Sequence, residues 1–141
     1  MDKISILLAI LAGVFTTIES SINSQLGKYI TPGVAAFHSL IVGFLFMLSF
    51  IVVRGDIVNY TKVINVKPIW LIGGIFGALI IYLSSRSIPL LGISNTLILI
   101  LAGQLLSGLV LDAVVFNAEI SMKKMTGAIL FLIGAIMFIK D

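Results

Sequence analysis

The chain reads as an all-α membrane protein of five transmembrane helices, and three observations predict it. Sixty percent of its 141 residues are hydrophobic and 11% are charged, against about 45–50% and about 25% in ordinary soluble domains. The mean hydropathy is +1.23. The apolar residues fall into five long runs separated by short stretches that hold most of the Lys and Arg. A soluble fold of this length could not bury that much apolar surface, so lipid is the expected solvent. One domain, residues 1–141, is expected, with spans at about 4–27, 32–53, 68–85, 90–111 and 125–139.

The first span is Ile4–Gly27, about 36 Å of helix and long enough to cross with some tilt. Lys3 followed by Ile4–Phe15 has the outline of a signal peptide. The polar positions continue on one helical face past residue 15, however, and no small-x-small cleavage site precedes Thr16, so the segment is read as a span. Thr31-Pro32 reads as an N-cap followed by proline at the first helical position, opening the second span, Pro32–Val53. The connection Arg54–Lys67 mixes Arg54, Asp56, Lys62 and Lys67 with Ile57, Val58, Val63 and Ile64, a composition suited to the membrane interface. The third span, Pro68–Ser85, carries Trp70 and Tyr82 as interfacial aromatics. A tight break is expected at Arg86-Ser87-Ile88-Pro89. The fourth span, Leu90–Leu111, and the fifth, Met125–Ile139, flank a polar connection, Asp112–Lys124.

Five spans place the termini on opposite sides. Connections on the N-terminal side hold six of the nine Lys and Arg, and the other side holds Lys28, Arg86 and Lys140. The positive-inside rule then favours a cytoplasmic N-terminus, with a bias small enough to leave dual topology open. The odd span number has a second implication. Two copies with opposite orientations would reproduce an inverted-repeat transporter, so an antiparallel dimer is expected.

Glu19 is the only acidic residue inside a span, about 12 Å from the Gly27 end of its helix. A carboxylate at such depth costs roughly 2.5–3.5 kcal/mol on insertion scales, which makes it a candidate functional residue. At 100° per residue, Ala9, Ala12, Gly13, Thr16, Glu19, Ser20, Asn23 and Gly27 share an arc of about 120°, with Ile, Leu, Val and Phe opposite. Thr16 and Asn23 are the helical neighbours able to hydrogen-bond Glu19. A carboxyl can hold a proton or a cation but not both at once, and this competition suffices for exchange. The alternative is a structural glutamate, neutral and hydrogen-bonded between helices. A third reading has Arg86 snorkelling to Glu19, against an ordinary interfacial role for Arg86.

Elsewhere, Gly73, Gly74, Gly77 and Ala78 form small-xxx-small pairs. Asn95, Thr96, Gly103 and Ser107 share a face of the fourth helix. Gln104 stands off that face, either contacting substrate or tying helices together. Gly127/Gly134 and Ala128/Ala135 repeat seven apart, a packing seam expected between subunits. His38 reads as an interfacial or hydrogen-bonded residue, with a proton relay as the alternative. No cysteine is present and His38 is the only histidine, so neither a disulfide nor a metal cluster is expected. No cofactor and no nucleic-acid partner is expected either. No nucleophile-base constellation or phosphate loop is present, which points away from an enzyme.

Several of these segments resemble a known family. Gly13-x5-Glu19-x3-Asn23-x2-Leu26-Gly27, then Ala35-Ala36 and Gly43, resemble the opening of the YdcZ-like inner-membrane exporters, the half-size, five-helix branch of the drug/metabolite transporter superfamily. Gly73-Gly74-Ile75-Phe76-Gly77-Ala78, Leu91-Gly92-Ile93-Ser94-Asn95-Thr96 and the stretch Ala102 to Asp112, with Gly103-Gln104-Leu105-Leu106 at its heart, are similar to the family's second half. Gly127-Ala128-Ile129-Leu130 and Gly134 resemble its last helix. The resemblance implies a bacterial inner-membrane location, five helices and assembly as inverted pairs. The position of Glu19 is commonly Gln in that family. In this respect the chain is similar to the four-helix small multidrug-resistance exporters, whose first helix carries an essential glutamate.

The reading that results is a proton-coupled exporter of small organic cations or amphipathic metabolites. Glu19, Thr16, Ser20, Asn23, Asn95 and Gln104 are its candidate substrate and proton site. Gly13, Gly73, Gly74, Gly77, Gly103, Gly127 and Gly134 are its packing positions. The alternative is an auxiliary subunit that pairs with an oppositely oriented paralogue and transports nothing alone.

Overall fold

A computed structural model describes residues 2–139, which leaves Met1, Asp141 and the expected topology charge Lys140 outside the described residues. All its long elements are helices: α1 (Lys3–Tyr29), α2 (Pro32–Val53), α3 (Gly73–Leu91), α4 (Ile93–Val114) and α5 (Met122–Ile139). Helices are forced by the solvent, because a segment in hydrocarbon must satisfy every backbone N–H and C=O within itself. All five helical segments are long and apolar enough to cross a membrane, the third counted as Pro68–Leu91. No more than 11% of the most apolar window of any of them is buried. The buried hydrophobics among the described residues are Ala35, Ala36, Ile88, Ala128 and Ala135. The larger apolar side chains face outward, as they do when lipid is the surrounding medium.

The chain divides into two compact units, one ending at Leu90 and the other starting at Leu91. In the first, α1 and α2 form a hairpin. The chain turns at Ile30, Thr31 caps α2 by accepting from the Val34 amide at 3.2 Å, and Pro32 occupies the first helical position, as the sequence predicts. The turn is tight. A side chain at Gly27 would meet the Pro32 backbone at 3.4 Å. At the α1 start, Asp2 accepts from the Ile4 amide at 3.3 Å. After α2, Gly55 adopts φ +73°, and Asp56–Asn65 then winds as a 3-10 helix, so the expected connection holds a regular element. Arg54 pairs with Asp56 at 3.5 Å and stacks on the Phe50 ring at 5.5 Å.

The expected break between the third and fourth spans is misplaced, α4 lies about three residues later than expected and α5 starts three residues earlier. The third helix does not break at Arg86–Pro89 but continues through it to Leu91. Proline removes one i−4 bond, here to the Ser85 carbonyl, and near a helix end that loss is bearable. The true break is Gly92, at φ +82° and ψ 162°, a conformation essentially confined to glycine.

In the second unit α4 and α5 pack on each other. Asn117 turns the connection at φ +49°, Ser121 caps α5 by accepting from the Lys124 amide at 3.3 Å, and Lys124 pairs with Asp112 at 3.7 Å. Ala128 and Ala135 are buried within the chain. The seam expected between subunits is therefore open only along Gly127 and Gly134, where a side chain would meet nothing within 4 Å.

Gly92→Ala is expected to destabilise the protein by about 1–3 kcal/mol, seen as an earlier midpoint in SDS-induced unfolding from mild detergent. Gly108→Ala, in the α4 interior with nothing within 4 Å, is expected to leave the midpoint unchanged or raise it, by up to about 1 kcal/mol.

Candidate functional site

The inward face of α1 toward its C-terminal half is polar. Ser20, Asn23 and Ser24 are buried, at the i, i+3, i+4 spacing that puts residues on one side of a helix. Glu19 stands at the edge of this face and is exposed. Opposite it, α2 presents Ala35 and Ala36, both buried, and one turn further Ser39. The two alanines let the helices approach, and Ser39 is the first α2 side chain that can answer the polar face of α1.

Glu19, Asn23 and Ser39 close a triangle. The Asn23 side-chain amide donates to Glu19 Oε1 at 3.5 Å and to Ser39 Oγ at 3.2 Å. The Ser39 hydroxyl donates to the same Glu19 Oε1 at 3.4 Å. All three bonds are long for their type, so the triangle is loosely held. Both donors converge on Oε1, which leaves Oε2 outside the triangle. The arrangement can orient a carboxylate by one oxygen while presenting the other to a proton or a cation.

Other expected site residues are placed differently. Thr16 donates to the Ala12 carbonyl at 2.9 Å, a back-bond within its own helix. Thr17 does the same with Gly13 at 3.0 Å. Ser20 is buried beside the triangle on α1. Asn95 and Gln104 lie on α4 in the second unit, Asn95 half-buried and Gln104 exposed. There Thr96 is buried and donates to the Gly92 carbonyl at 2.8 Å. His38, next to Ser39 in sequence, is exposed. Arg86 donates to the Tyr82 hydroxyl at 3.3 Å and makes no ion pair among the described residues, so the snorkelling contact with Glu19 is not formed. No group of three or more His, Cys, Asp or Glu suited to a metal occurs among the described residues.

The sequence reading missed Ser39. A signal for it exists. Counting outward from Thr31, Asn23 lies eight residues before the turn and Ser39 eight after it, so a tight helical hairpin brings them level.

Residues 4–137 match the family described as "Putative inner membrane exporter, YdcZ". The chain belongs to the YdcZ family. No curated protein and no solved structure matches it. The match runs through all five helices, so both units of this YdcZ chain fall inside it, the polar triangle and the Gln104 helix alike.

Within this YdcZ protein a double-mutant cycle should register the interhelical bond. Asn23→Ala and Ser39→Ala are expected to couple by about 0.6 kcal/mol, the scale of hydrogen bonds between membrane helices, when unfolding is followed in SDS. Additive effects would show that the bond contributes nothing to the hairpin.

Proposed function

We propose that this YdcZ-family exporter works by proton exchange at Glu19, expelling small organic cations or amphipathic metabolites. The observation that carries the reading is the triangle: a carboxyl on an apolar helix oriented through Oε1 by Asn23 and Ser39, with Oε2 outside the triangle. A carboxyl so held binds a proton or a cationic group, and arrival of either displaces the other. Asn23 and Ser39 fix where the exchange occurs, and Ser20 and Thr16 extend the polar face on either side. Asn95 and Gln104 are assigned to substrate contact in the assembled transporter. Gln104 suits this role because its amide is exposed on a membrane helix, where an amide needs a partner.

The working unit is proposed to be an antiparallel dimer. Five helices leave little room for a central site, and an odd span number lets two identical chains form an inverted pair. Open glycines support this. A side chain at Gly13, Gly73, Gly74, Gly77, Gly103, Gly127 or Gly134 would meet nothing within 4 Å, so a second chain can approach closely at these positions.

Glu19→Gln separates chemistry from fold. The amide keeps an oxygen for Asn23 and Ser39 to reach but cannot exchange a proton. In proteoliposomes challenged with organic cations under a pH gradient, wild type is expected to move protons against substrate, and Glu19→Gln to fall to the level of empty vesicles with its unfolding midpoint preserved. Ser39→Ala is expected to transport more slowly without losing coupling. Equal transport by wild type and Glu19→Gln would end the proton-exchange reading. Silence from both, reversed by co-expression with a paralogue, would make this chain one half of a heteromeric pair. The absence of cysteine also permits a clean orientation test: Asp2→Cys should be labelled from one side in a fixed topology and from both in a dual one.

A further inference from the structure

Away from Glu19, α2 and α3 border an open groove of about 380 Å³, lined by Gly33, Ala36 and Leu40 from one helix and Ile75, Leu79 and Tyr82 from the other. At one end of the groove a side chain on Gly33 would meet the Tyr82 ring at 3.8 Å. The groove is apolar along its length, and its polar groups gather beyond that end. The Tyr82 hydroxyl accepts from Arg86 at 3.3 Å, one helical turn past the lining. The Arg86 side chain is exposed and meets no carboxylate among the described residues.

We infer that this groove binds one anionic phospholipid, its phosphate held by Arg86 and the Tyr82 hydroxyl and an acyl chain lying between α2 and α3. Three features favour this occupant. Gly33 to Leu40 spans about 10 Å of helix axis, a depth that fits within one leaflet of a hydrocarbon core about 30 Å thick. An aromatic and a cation at the mouth of an apolar channel match the layering of a lipid, headgroup above and chain below. Guanidinium binds phosphate through paired N–H donors, and the Tyr82 bond already orients it. The same charge disfavours a cationic substrate in this groove, so the lipid site and the Glu19 site have opposite preferences.

Native mass spectrometry of the full chain released from detergent, with phosphatidylglycerol and phosphatidylcholine of identical acyl chains added together, tests this. Wild type is expected to retain one phosphatidylglycerol per chain in preference to phosphatidylcholine. Arg86→Gln is expected to lower that preference about fivefold, the scale of one cation at a lipid surface. Arg86→Lys should retain most of it, and Lys62→Gln, on the 3-10 segment, all of it. Ala78 also lines the groove, and Ala78→Phe should reduce retention of both lipids. Equal retention of the two lipids by wild type, or an unchanged preference in Arg86→Gln, overturns the inference. So does an Ala78→Phe chain that loses self-association while keeping its lipid, since the groove would then belong to a second copy.

Discussion

Lipid cannot hydrogen-bond a peptide group, and nearly everything in this molecule follows from that. Each segment in hydrocarbon closes its own backbone bonds as a helix. The hydrophobic effect then no longer distinguishes inside from outside, because lipid tails receive a leucine as readily as a core does. The interior of this chain is accordingly built from Ala, Ser and Asn rather than from Leu and Phe. Small residues permit close approach, and most of the hydroxyls find a partner within their own helix. Thr16, Thr17, Ser49, Ser84, Thr96 and Thr126 turn back on carbonyls of their own helices. Asn23 and Ser39 are different: their bond crosses between helices, and it does so next to the one carboxyl placed at depth.

The hairpin of α1 and α2 therefore has two tasks that share residues. Gly27, Pro32 and Thr31 set a short turn, the alanines at 35 and 36 let α2 lie close, and the register that results brings Ser39 level with Asn23. The two bonds to Glu19 are long and meet at one carboxyl oxygen, so they orient the group without enclosing it.

Much of the fold was legible because hydropathy and length are direct consequences of the solvent. The second span was read to the residue, since Thr31-Pro32 states its start chemically. The continuation of α3 through Arg86–Pro89 is not legible from the proline alone, because near the end of a membrane helix one missing bond matters less than the backbone freedom of Gly92. Of the candidate site, Glu19 and Asn23 were visible from helical spacing alone. Ser39 was not, because a lone serine in an apolar helix gives no periodic signal, and its importance arises only when two helices are set side by side. Thr16 failed as a partner for Glu19 for a local reason: a threonine hydroxyl in a helix has its own i−4 carbonyl within reach. The groove between α2 and α3 was beyond reach for a similar reason, since apolar residues that face lipid and those that line a cleft have the same composition.

The proline in α3 has a mechanical consequence. A helix resists bending because bending stretches bonds on its convex side. At Pro89 there is no amide to stretch: the Ser85 carbonyl has no donor at that position, and the buried Ser85 hydroxyl has no partner either. The last turn of α3, with Leu90 and the glycine joint at 92 beyond it, can tilt without breaking an i−4 bond at residue 89.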